Sequence, residues 1–137
     1  MKKNIIKTIA ILLILVASAF TVKATDIGSI TVNWSTNCNP LYTGDTWEVT
    51  LAIVHYPSLN SFWICNPNPT IVSNYDARDK EFNVNQSCYD AQAQYLVIAN
   101  VKLIRNGQTI CEGSSRTVMT CYDLYQLEDV YVTCSCD

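Results

Sequence analysis

The sequence predicts an all-β fold: a single antiparallel two-sheet sandwich, immunoglobulin-like or related, stapled by disulfides. A small barrel is the second choice. Three observations carry this reading. Apolar residues alternate with a period of two in several segments, as they do in half-buried strands. Helical spacing is scarce. All seven cysteines lie downstream of a leader segment.

The leader comes first. Lys2, Lys3 and Lys7 form a positive start, Ile9 to Val16 is an unbroken apolar run, and Ala17, Ser18 and Ala19 follow. That order reads as a secretory signal peptide. The run is short of the ~20 residues a spanning helix needs, which argues against an uncleaved anchor. Cleavage after Ala24 or after Ala19 satisfies the small-x-small rule, and Ala24 leaves a polar start at Thr25-Asp26. Residues 1–24 are therefore assigned as the signal and 25–137 as one disulfide-containing sandwich domain. The expected location is secreted or periplasmic, with no stable membrane insertion after cleavage.

The strands follow in order. Ile30, Val32 and Trp34 share one parity between Gly28 and Trp34. Trp47, Val49, Leu51 and Ile53 do the same in a longer run that Pro57 closes. Phe62 to Cys65 is a short apolar run ended by Asn66-Pro67-Asn68-Pro69, and Phe82 and Val84 alternate in a further segment. Tyr95, Val97, Ala99, Val101 and Leu103 line one face of the next strand. Asn106-Gly107 accepts the positive φ angles of a type I′ turn, so Thr109 to Cys111 should run back beside that strand. Ser115 to Cys121 and Val130 to Cys134 complete the set, and Tyr122 to Asp129 is read as one helical turn or a loop. Seven or eight short strands with turn residues between them point to a sandwich. The immunoglobulin cysteine–tryptophan pattern fails in detail: Trp63 lies two residues before Cys65, and Tyr131 three before Cys134.

Cys38, Cys65, Cys88, Cys111, Cys121, Cys134 and Cys136 are the disulfide candidates, with one left over and the pairing open. Structural zinc sites want paired ligands at close spacing, often with histidines. Here the single close pair is Cys134-Ser135-Cys136 and there is one histidine, so no metal is expected. The C-x-x-C arrangement of redox thiols is missing as well.

Catalytic chemistry finds little support, and no cofactor is expected. His55 lies near a strand end on the parity of Val49, Leu51 and Ile53, without a nucleophile motif beside it, and reads as a hydrogen-bonded rim residue. Asp76, Asp79 and Glu81 cluster, but Arg78 and Lys80 are interleaved, so a solvated turn is preferred to calcium. Asn33-Trp34-Ser35 and Asn85-Gln86-Ser87 match the glycosylation sequon and are read as chance matches.

Without the leader, five basic residues face twelve acidic ones, a formal charge of −7. Gripping phosphate backbones takes clustered positive charge, so nucleic acid is excluded as the expected partner. What remains is a non-enzymatic binding or structural module for an unidentified macromolecule or surface. The alternatives are a small secreted hydrolase, or a carrier of an apolar ligand between the sheets. Phe62 and Trp63, set between turn residues, are the candidate binding residues.

Overall fold

The computed structural model describes the backbone of residues 25–59, 62–65, 69–88 and 90–136, and their side chains apart from 25, 26, 62–65 and 88. In chain order the elements are β1 (Thr25–Thr36), β2 (Thr46–His55), β3 (Phe62–Cys65), β4 (Thr70–Val72), β5 (Asp79–Cys88), β6 (Gln94–Arg105), β7 (Gln108–Thr120), α1 (Cys121–Tyr125) and β8 (Asp129–Cys134). Alternation dictates the two long central strands. Along β2, Trp47, Val49, Leu51 and Ile53 are buried, and along β6 Tyr95, Val97, Ala99, Val101 and Leu103 are buried. These two strands pair antiparallel over their whole length, from Thr46↔Ile104 to His55↔Tyr95.

Two sheets result. One runs β5-β1-β8; the other runs β3-β2-β6-β7, with β4 sharing the free side of β2. Neither sheet closes into a barrel among the described residues. The pairing departs from the antiparallel expectation in one place, since β1 and β8 run parallel from Thr31↔Asp129 to Thr36↔Cys134. The turn at Asn106-Gly107 is as the dipeptide requires, with φ of 52° and 76°. The return strand is longer than alternation suggested. The segments expected at 109–111 and 115–121 run together in one strand, β7, which stops at Thr120 where Cys121 opens α1, with a register shift between Leu103 and Ile104 on its partner.

The inner faces meet in a core that includes Ile27, Ile30, Val32 and Trp34 from β1 and Val130 and Val132 from β8. The rings of Trp34 and Trp47, one from each sheet, lie 5.5 Å apart at a 48° tilt. Each such large apolar side chain contributes about 1.5–3 kcal/mol when buried. Trp47 Nε1 donates to the Tyr75 carbonyl at 3.0 Å, whereas the buried Trp34 Nε1 has no partner among the described residues. An unmet buried donor costs about 1–3 kcal/mol, so Trp34 stabilises by packing and not by polarity.

Candidate binding site

β7 ends one sheet and β8 ends the other, and the two edges meet along one side of the sandwich. They are pinned together at Gly113. A side chain there would run into the Thr133 carbonyl, with its carbon at 2.7 Å and Val132 Cγ1 at 2.9 Å, so only glycine permits the approach. An isolated bridge joins Glu112 to Ser135, and a disulfide joins Cys111 to Cys134 beside it.

Away from this pin the edges part and leave a hollow of about 310 Å³. Val97, Met119, Leu127 and Val130 give it an apolar lining, with Ser115 and Tyr131 among its other walls. Tyr131 is 72% exposed, the outward counterpart of buried Val130 and Val132. Just across Leu127–Asp129 a second, wider hollow is lined by Ile27, Gly28, Ser29 and Tyr125.

The segment between these hollows is held in place from several sides. Thr120 and Asp123 form a capping box: the Thr120 hydroxyl accepts from Asp123 N at 3.2 Å, and Thr120 N donates to Asp123 Oδ2 at 3.1 Å. The same hydroxyl donates to Asp123 Oδ2, which holds that carboxyl below its usual pKa. Cys121 N donates to the Ala93 carbonyl, and Leu124 is fully buried beneath the helical turn. Leu127 N then donates to Leu124 O, Thr31 N donates to the Glu128 carbonyl at 2.8 Å, and Asn33 Nδ2 donates to Asp129 Oδ1 at 2.8 Å. Leu127 therefore enters the hollow from a braced backbone.

At the opposite end, Asp45 is 1% exposed and its carboxylate takes two bonds from Arg105, Nε to Oδ1 and Nη2 to Oδ2, both at 2.8 Å. Arg105 holds the Asp45 carboxyl below the usual range, against the burial that would raise it. The Tyr42 ring lies 4.2 Å from the guanidinium carbon, and Pro40 O accepts from Nη2. This arrangement fastens the 37–45 loop to the end of β6. Two disulfides converge nearby, Cys38–Cys136 with Cα atoms 5.2 Å apart and Cys111–Cys134 at 5.7 Å. Cys121 is disulfide-bonded too.

The residues singled out in the sequence fall in different places. Phe62 and Trp63 belong to β3, which pairs with β2 through Phe62↔Val54 and Ile64↔Ile53; their side chains lie outside the described residues. The side chains of Cys65 and Cys88 do as well. His55 is half-buried at the sheet end, its ring 5.0 Å from that of Tyr95. Burial, and then the charge of Asp90, raise the Tyr95 phenol pKa. Asp76, Asp79 and Glu81 are all exposed. The seam residues Met119, Leu127 and Tyr131 were not singled out. Tyr131 had a readable signal, an aromatic on the outward parity of a strand, but nothing in the sequence says which strands leave an edge uncovered.

No family model matches the chain, and no curated protein or solved structure matches it.

Proposed function

We propose that this chain is an exported, secreted or periplasmic, non-enzymatic binding module, and that it takes an extended segment of a partner protein along the parted edges of β7 and β8. The observation that carries the reading is the seam itself. Among the described residues β7 is a terminal strand, so one row of its backbone N–H and C=O groups is left without a strand partner beyond Gly113, the condition for adding a strand. The apolar hollow beside that row suits one or two side chains of such a segment. At about 310 Å³ it stands at the low end of small-molecule sites, which favours a side-chain pocket over the apolar-carrier alternative. Exposed Tyr131 and Tyr125 on either side of Leu127 supply the amphipathic aromatic surface that recognition sites favour.

Export is supported by the leader and by bridges that persist in oxidising compartments. Two sheets tied by an inter-sheet disulfide also support an immunoglobulin-like or related sandwich, a frame that leaves its edges and loops for recognition.

A displayed library of linear peptides, selected on the mature oxidised protein, tests this. Enriched peptides should bind at least tenfold more weakly to Met119→Lys and Tyr131→Ala, and equally well to Ile71→Ala on distant β4. Failure to enrich any peptide, or binding indifferent to the seam substitutions, would overturn it.

A further inference from the structure

We propose that Cys38, Cys111, Cys134 and Cys136, once reduced, form a thiolate site for a soft metal ion, with Zn²⁺ as the expected occupant. The Sγ atoms of Cys38, Cys111 and Cys136 all lie within 4.8 Å of one another, and Cys134 is bonded to Cys111. Tetrahedral zinc with Zn–S bonds of about 2.3 Å sets its sulfurs roughly 3.8 Å apart, so these three thiols need only small rotations, and Cys134, released from Cys111, turns to supply the fourth.

The decisive point is that backbone and side-chain hydrogen bonds, and not the bridges alone, gather these residues. Cys134 is the ladder partner of Thr36 in the parallel β1–β8 pair. Cys111 is held opposite Leu103 in the β6–β7 hairpin. The Asn37 side chain grips Cys136 from both sides, its Oδ1 accepting from Cys136 N at 2.7 Å and its Nδ2 donating to Cys136 O at 3.4 Å. Cys38 N donates to Thr36 Oγ1 at 3.1 Å, which sets the loop carrying the fourth thiol. Opening both bridges therefore leaves the thiols of Cys38, Cys111 and Cys136 gathered together with that of Cys134 beside Cys111, all largely buried except the half-exposed Cys136. Thiolates select soft cations over calcium or magnesium.

The chemistry balances. Each bridge accepts two electrons and two protons from an external dithiol, which leaves as its cyclic disulfide. Zn²⁺ then binds four thiolates and four protons are released. The sequence reading set zinc aside because the spacings were long. The fold supplies the proximity that spacing does not.

The test is to reduce the mature protein with a phosphine under argon and titrate it with Co²⁺, then Zn²⁺. The expected result is a saturable one-to-one cobalt species with sulfur charge-transfer bands and tetrahedral d–d bands, displaced by zinc. Zinc should raise the unfolding midpoint of the reduced protein and leave that of the oxidised protein unchanged. Alkylation read by mass spectrometry should find Cys38, Cys111, Cys134 and Cys136 protected by zinc, and Cys65, Cys88 and Cys121 not. The cobalt bands should vanish in Cys111→Ser/Cys136→Ser. Absent bands, protection of the other three cysteines, or metal binding without a rise in midpoint would each overturn the proposal.

Discussion

Arg105 and Asp45, sixty residues apart in the chain, share two parallel hydrogen bonds of 2.8 Å, and the carboxylate is almost wholly out of water. A planar guanidinium matches a carboxylate in this way, and an ammonium does not. Removing either partner strands the other charge. Asp45→Ala should lower the unfolding midpoint by at least about 4–8 °C, and Arg105→Lys should recover only part of the wild-type value. Thermal melts of the three proteins check this.

The same pair fixes a pH dependence. Arg105 lowers the Asp45 pKa in the folded state, so the stability it confers is fully present above the ordinary carboxylate pKa. It is lost as the pH falls from there through the lowered folded value. Denaturant titrations should show wild-type stability falling below about pH 4, with a shallower fall in Asp45→Asn. Equal slopes would mean that Asp45 is not held in its charged form.

Gly113→Ala should be among the most damaging single-methyl changes in the protein. The obstacle is the Thr133 backbone, which cannot swing aside as a side chain can. A cost of about 1–3 kcal/mol or more is expected, together with slower closure of Cys111–Cys134. Gly28→Ala is the control, since a methyl there meets nothing within 4 Å. Urea unfolding and non-reducing mass mapping measure both effects.

Removing either mapped bridge by paired Cys→Ala substitution should cost about 2–5 kcal/mol. Chelators should leave the oxidised protein's midpoint unchanged. Reduction should lower the midpoint while the far-ultraviolet spectrum stays dominated by strand. A strand signal that collapses on reduction alone would show that the bridges, and not the core, hold the sheets together.

N-terminal sequencing of the exported protein should begin at Thr25. Finding Met1 would return residues 1–24 to the mature chain and remove the case for a cleaved leader.

The long strands were legible because their alternation is strict: every apolar residue picked out on β2 and β6 is buried. The Asn106-Gly107 turn was legible because its backbone demands that dipeptide. β4 was not, being three residues long with an exposed isoleucine at its centre, too short for a period to register. Nor was the parallel β1–β8 pair, since alternation reports which face a strand buries and not which neighbour it takes or in what direction. That omission hid the candidate site. The seam exists only because β7 and β8 end different sheets, and the two neighbouring bridges only because β8 and the residues just after it bring Cys134 to Cys111 and Cys136 to Cys38.

The parallel pairing also orders events in time. β1 is the first of these strands to be synthesised and β8 the last, yet they are neighbours in one three-stranded sheet. The Cys38–Cys136 bridge spans 98 residues, so its first thiol waits for nearly the whole domain. The β6–β7 hairpin can assemble while the chain is still emerging, because its two strands are joined by a single tight turn. The other sheet cannot gain its third strand until β8 is clear, and until then the apolar face of β1 has only β5 beside it. The final topology and the longest bridge are thereby the last things the chain acquires, since both wait for residues beyond Asp129.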